Sequence, residues 1–200
     1  INNKEMILHV YEAAKKSNAG EVYVATPDKA IFELVSNYGG KAVLSSETHN
    51  TGTDRIFEVF KNTLKSLPNI IVNLQGDMPN IEPKIIKNLI NYMQQGKCEV
   101  GTLASEIKNN FELEDENIVK VLVKEKLKEG IFSEALDFLR VNPGQNHKTY
   151  HHVGIYAFTS IALTKYVSLK RSKLELNRKL EQLRAMENGM SIHVGYINSS

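Results

Sequence analysis

Cysteine is almost missing from these 200 residues, with Cys98 as the single example. An internal disulfide is therefore excluded, and a lone thiol suits a reducing compartment, so the expected location is the cytoplasm. Long apolar runs are missing too. Nothing approaches the roughly 18 residues that span a bilayer, and no basic-then-apolar leader precedes the first helical pattern. A soluble protein without membrane contact is expected. Nor is there an excess of one charge: 25 basic and 23 acidic residues leave a net +2, spread along the whole chain. No block of charge is placed to neutralise a nucleic-acid backbone, so nucleic acid is not an expected partner. Internal repeats and low-complexity tracts are absent. What is present, 42% hydrophobic and 24% charged residues, is enough at this length for one well-buried core.

The first half alternates strand and helix patterns. In residues 4–18, Ile7, Leu8, Tyr11 and Ala14 recur at helical spacing. Residues 21–25 form a short β-branched and aromatic run, and Thr26-Pro27-Asp28 turns it into a second helix that stops at Gly39-Gly40. Residues 41–44 read as another strand. A polar loop over 45–52 leads to a helix carrying Ile56, Val59, Phe60 and Leu64. Residues 69–74 are an apolar strand of the kind buried on both faces, and Pro83 suits the first position of a helix reaching about residue 95. Strands separated by helices in this way predict a doubly wound α/β fold with a mostly parallel sheet. Ligands of such sheets lie beyond the carboxyl ends of the strands, which singles out the loops beginning at Thr26, Ser45 and Gln75.

The second half is less regular. Strand patterns cover 100–105, 118–123, 152–158 and 191–196, and an acidic loop follows the first of them. Helical patterns cover 161–169 and 173–188.

Four segments carry candidate chemistry, each with a plainer alternative. Gln75-Gly76-Asp77 follows a buried strand, so Asp77 stands where a carboxylate could hold Mg²⁺ against phosphate oxygens; a simple turn with a capping aspartate explains it as well. Residues 48–55 supply hydroxyls, an amide and a helix start suited to a nucleotide, with Arg55 in reach of a phosphate. Thr53 is equally good as an ordinary helix cap, with Asp54 favouring the first turn. Strand alternation sends His152, Gly154 and Tyr156 to one face and Val153 and Ile155 to the other, as a polar wall or a structural histidine. Within residues 173–188, Leu176, Leu180 and Leu183 form the expected core stripe, and Glu181 with Arg184 reads as a surface pair one turn apart.

Taken in order, the segments Met6-Ile7-Leu8-His9-Val10, Val24-Ala25-Thr26, Thr51-Gly52-Thr53-Asp54-Arg55, Val72-Asn73-Leu74-Gln75-Gly76-Asp77-Met78-Pro79, Asn117-Ile118-Val119-Lys120-Val121, His152-Val153-Gly154-Ile155-Tyr156 and Leu180-Glu181-Gln182-Leu183-Arg184 resemble the 3-deoxy-manno-octulosonate (Kdo) cytidylyltransferases, or CMP-Kdo synthetases. The last two separate that family from other sugar nucleotidyltransferases. The resemblance implies a nucleotide-diphospho-sugar transferase fold in one domain, with a nucleotide-binding part over about 1–105 and a part for the sugar acid and dimerisation over about 106–200. It implies CMP-Kdo and pyrophosphate made from CTP and Kdo with Mg²⁺, for lipopolysaccharide biosynthesis in a bacterial cytoplasm, by a homodimer. It places Asp77 as metal ligand and catalytic residue. Gln75, Thr53, Arg55, Thr26 and Asp28 fall on the nucleotide side, and His152, Tyr156, Glu181 and Gln182 around the sugar acid.

The family also places an arginine against the Kdo carboxylate after a strand reading approximately Ala-Leu-Tyr-Phe-Ser-Arg. Ala135-Leu136-Asp137-Phe138-Leu139-Arg140 matches it, making Arg140 the candidate; an alternative register on Ile131-Phe132-Ser133-Glu134 puts an acid there. Asp137 and Leu139 depart from the pattern, and Arg178 stands where the family's helix usually carries a glutamate. The connection from Arg140 to Tyr150 is shorter than in the family. The family's first strand, its triphosphate-gripping loop and a second metal-binding aspartate do not occur in these residues and are expected in segments outside this stretch. Competing readings are a cytidylyltransferase for another sugar acid or alcohol, and a catalytically inactive nucleotide-binding domain.

Overall fold

The structure is a computed structural model, and it describes residues 3–46, 48–63, 68–144 and 148–198. The chain begins with α1 (Met6–Lys16), β1 (Val24–Thr26), α2 (Lys29–Asn37), β2 (Ala42–Leu44), α3 (Gly52–Thr63), β3 (Ile70–Asn73) and α4 (Pro83–Met93). It continues with β4 (Val100–Ser105), α5 (Asn110–Glu114), β5 (Lys120–Val123), β6 (Phe132–Leu139), β7 (Thr149–Thr159), α6 (Ser160–Ser168), α7 (Lys173–Arg178), α8 (Gln182–Glu187) and β8 (Ile192–Tyr196).

The α/β expectation holds. β1 and β2 pair in parallel across α2, as a right-handed crossover favours. The larger sheet has the order β3-β7-β4-β8-β6-β5. β4 and β8 pair in parallel, and β7 lies between β3 and β4 antiparallel to both. Since β6 also opposes β8 and β5 opposes β6, strands β3, β4, β5 and β8 all point one way. β5 pairs back onto the start of β7, so β7, β4, β8, β6 and β5 close into a ring.

Helices cover both faces. On one side α3, α6 and α8 pack Phe60, Leu163, Tyr166 and Leu183 against Val100, Tyr156 and Phe158 of the sheet. On the other, α4 packs Ile86, Leu89 and Met93 against Leu103, Ile155 and Ala157. Cys98 is buried here and unpaired, and burial pushes its thiol up to about 11. A smaller cluster seats α1 and α2 on β1 through Leu8, Tyr11, Val24 and Val35.

Three local expectations are corrected. β3 is only half-buried along most of its length, because β7 is its one hydrogen-bonded neighbour among the described residues. The acidic loop contains the short helix α5, capped by Asn109 through the Glu112 amide. Residues 173–188 are two short helices rather than one, since Lys179 adopts a left-handed backbone at φ 55° and ends α7; Leu176 is consequently 50% exposed instead of joining the core stripe. The strand that the resemblance places before Arg140 is present as the eight-residue β6, although residues 132–139 carry no clear strand pattern of their own. Leu64 lies outside the described residues.

Candidate active site

The carboxyl ends of β1, β2 and β3 open onto the three loops singled out above. In the first, Asp28 caps α2 by accepting from the amides of Ala30 at 2.7 Å and Ile31 at 3.4 Å, and its own amide donates to Thr26 Oγ1 at 3.1 Å. In the second, Arg55 Nη1 donates to Ser45 Oγ at 2.8 Å and to the Ser46 carbonyl at 3.3 Å. Glu58 fastens the same loop by accepting from the Ser46 amide and pairing with His49. The His49 bond holds the Glu58 carboxyl below its ordinary range. Arg55 thus ties its own loop to α3 in addition to any reach toward a phosphate.

The cap of α3 is Thr51, not Thr53. The Thr51 hydroxyl accepts from the Asp54 amide at 3.2 Å and donates to its carboxylate at 2.8 Å. The helix starts two residues earlier than the cap reading of Thr53 requires, which turns Thr53 inward, 1% exposed. Its hydroxyl accepts from Asn73 Nδ2 at 3.2 Å and donates to Glu181 Oε1 at 3.0 Å. Asn73, the last residue of β3, was not among the expected site residues; its one legible signal was an amide inside an apolar run. Gln75 sits over Gly52, where a Cβ would lie 3.4 Å from Gln75 Nε2, and Asp77 is exposed in the turn beyond.

Glu181 is therefore not half of a surface pair with Arg184. Among the described residues its buried Oε2 has no hydrogen-bond partner, and removal from water raises its pKa above the ordinary value. Thr53, Tyr156, Tyr166, Glu181 and Gln182 together line a small cavity. Arg184 is also buried. It grips Glu175 through two bonds of 2.9 and 2.7 Å, approaches Asp54 at 3.4 Å and lies 4.6 Å from the centre of the Tyr166 ring. Glu175 in turn completes a reciprocal cap with Ser172 at the start of α7. The motif's arginine locks α7, α8 and α3 together, and the break at Lys179 is what points Glu181 toward Thr53 rather than into solvent.

The expected facing on β7 holds: the His152 and Tyr156 rings are 5.4 Å apart, while Val153 and Ile155 pack in the opposite cluster. Opposite the Thr102/Leu103 step β7 carries two extra residues, an even number that preserves the alternation. Thr102 Oγ1 donates to the Ile155 carbonyl at 2.7 Å and sits 2.9 Å from His152 Nε2. With that hydroxyl proton committed, the network assigns the imidazole proton to Nε2 and leaves Nδ1 as an acceptor. Burial lowers the His152 pKa to about 3, so the ring is neutral.

A family model described as cytidylyltransferase matches residues 1–192. The 3-deoxy-manno-octulosonate cytidylyltransferase of Thermodesulfovibrio yellowstonii is 40% identical over 206 residues, covering 98% of this chain and 81% of the relative. That of Bartonella bacilliformis is 37% identical over 202 residues, covering 100% and 82%. The chain belongs to the 3-deoxy-manno-octulosonate cytidylyltransferase family. A solved CMP:2-keto-3-deoxy-manno-octonic acid synthetase complexed with CTP superposes on 98% of this cytidylyltransferase and 80% of its own chain, with a TM-score of 0.87 and 34% identity. The 4-diphosphocytidyl-2C-methyl-D-erythritol synthase of Anaerococcus prevotii, at 14% identity and a TM-score of 0.62, shares the fold.

On this cytidylyltransferase Arg140 directly follows β6, and its Nη1 donates to the Glu116 carbonyl at 3.0 Å. The two departures from the family's pattern meet: Arg178 of α7 donates to Asp137 of β6 at 2.7 Å and to the Phe138 carbonyl at 3.0 Å. Each substitution supplies the other's partner, so α7 stays docked on the strand that leads to Arg140. Among the described residues no group of three or more histidine, cysteine or acidic side chains is placed to share a metal, and no helix is long and apolar enough to cross a membrane.

Proposed function

We propose that the chain transfers the cytidylyl group of CTP to the 2-hydroxyl of Kdo, releasing pyrophosphate. The observation that carries this reading is the Thr53–Glu181 hydrogen bond of 3.0 Å. It joins the helix start expected to face the nucleotide to the helix expected to face the sugar acid, at the carboxyl end of β3.

In this reading Gln75, Thr53, Arg55, Thr26 and Asp28 border the nucleotide. His152 offers neutral Nδ1 as an acceptor, and Tyr156, Glu181 and Gln182 supply further donors and acceptors for sugar hydroxyls. Arg140 meets the carboxylate, where a guanidinium forms paired charge-assisted bonds. The sugar oxygen forms a bond to the α-phosphorus as the bond to pyrophosphate breaks, so the residues' work is to align the two and stabilise charge. Asp77 fits as a ligand of Mg²⁺, because this cation takes one or two carboxylates and fills its remaining positions with water and phosphate oxygens. An exposed single carboxylate beyond β3 is that kind of donor, and bound Mg²⁺ would neutralise charge on the triphosphate. The division at about residue 105, a homodimer and a cytoplasmic location belong to the same proposal.

Pyrophosphate release from CTP and Mg²⁺, with Kdo beside sialic acid, tests it on the full-length protein. Turnover with Kdo alone is expected; turnover only with sialic acid would overturn it.

A further inference from the structure

Lys120 opens β5 with no exposed surface at all, and burial lowers its pKa. A buried ammonium is costly unless its donors are used. Here they are spent on main chain: Nζ donates to the Asp115 carbonyl at 2.6 Å and to the Arg140 carbonyl at 2.7 Å. Glu116, directly after the first anchor, supplies the carbonyl that accepts from the Arg140 guanidinium. One lysine thus fixes both the backbone from which the Arg140 side chain emerges and the loop on which its head group rests.

The same strand end reaches the sugar-acid side. Lys120 is in register with Leu139 on β6 and His151 on β7, and the preceding Val119 carbonyl accepts from the His152 amide at 2.8 Å. Phe138 lies edge-on to the His152 ring at 5.0 Å. The start of β5 is therefore the hinge plate between Arg140 and His152. An apolar residue there would leave two inward carbonyls without donors and the Arg140 main chain without its anchor.

We propose that Lys120 is a positioning residue for Arg140 and so sets the affinity for the sugar acid without touching it. The proposal rests on the reading that Arg140 meets the sugar-acid carboxylate, and the experiment separates the two. Full-length Arg140→Ala, Lys120→Met, Lys120→Gln, Lys120→Arg and the double variant Lys120→Gln/Arg140→Ala are compared by KM for Kdo, KM for CTP and thermal melting. Arg140→Ala should raise the Kdo KM by more than about tenfold, the scale of a lost charge-assisted bond. Lys120→Gln and Lys120→Met should raise it by about tenfold with the CTP KM within about twofold, and Lys120→Arg should restore much of the loss. Adding Lys120→Gln to Arg140→Ala should change the Kdo KM little, since residues acting as one unit are not additive. If Lys120→Met fails to fold, Lys120→Gln carries the comparison. Folded Lys120 variants with a normal Kdo KM, beside a defective Arg140→Ala, would overturn the positioning role alone. So would additive losses, equal losses for both substrates, or failure of all three Lys120 variants to fold. A normal Kdo KM in Arg140→Ala would overturn the reading of Arg140 and the proposal with it.

Discussion

Asp77 and Glu181 are opposite kinds of carboxylate, and their substitutions should behave oppositely. Asp77 is exposed, so Asp77→Asn should leave the melting temperature unchanged while lowering Mg²⁺-dependent turnover by about a hundredfold or more, the scale of a lost metal-organising group. Steady-state pyrophosphate release over a Mg²⁺ titration measures it, and near-normal activity would remove Asp77 from the site. Glu181 is held with one oxygen unpartnered among the described residues, and its pKa is raised by burial above the ordinary 4.5. For an acid with a raised folded pKa, the native state binds more protons, so this contribution is intact below about 4.5 and is lost as pH rises. Glu181→Gln keeps an oxygen for Thr53 and loses the charge. It should melt above the wild type at pH 7, by a margin that shrinks toward pH 4.5, while its Kdo KM rises; equal melting curves across that range would refute the buried charge. At this scale the sequence showed which residues to consider, through the order of their motifs. It could not show that Thr53 is turned inward, because a hydroxyl in the first turn of a helix reads as a cap in either orientation.

The elements α7 and α8 show what periodicity alone cannot resolve. Leucines at 176, 180 and 183 satisfy one continuous helix, yet Lys179 ends α7 in the left-handed region. Lys179→Gly should relieve that conformation and stabilise the protein by about 0.5–1 kcal/mol, read as a higher urea midpoint; a lower midpoint would contradict the capping role. The break is held by Arg184, which is 2% exposed and bonded twice to Glu175. Arg184→Ala leaves that buried carboxylate with the more exposed Arg171, 2.9 Å away, as its remaining cationic partner and should cost about 2–4 kcal/mol, measurable by chemical denaturation. A loss under about 1 kcal/mol would mean that Arg184 acts as the surface residue its spacing suggested. Glu175 and Arg184 were illegible as a buried pair because they belong to two helices whose angle the sequence pattern does not specify. β6 was obscured for a related reason: its strand is fixed by pairing with β5 and β8, and Asp137 within it is satisfied by Arg178 from α7.

For the whole molecule, His152 links the proposed sugar-acid site to stability against acid. Its pKa is about 3 in the fold against 6.5 as the ordinary value, with desolvation the main cause. The unfolded chain takes up the proton first, so the contribution is complete above about pH 6.5 and declines as pH falls toward 3. Between pH 7 and 5 the wild type should lose about 2 kcal/mol that His152→Gln does not lose. Parallel urea titrations of both proteins would decide, and identical pH slopes would refute a buried neutral imidazole. The alternation of strands and helices was enough to determine the α/β class, because burying one face of each element leaves few ways to layer them. The ordered motifs determined the family. What only the tertiary structure decided is which distant residues meet: Thr53 on Glu181 across the two halves, and Asp137 on Arg178 and Lys120 on the Arg140 main chain within the second. These partners lie from 20 to 128 residues apart, and a polar side chain's buried partner is chosen by packing geometry that no local pattern records.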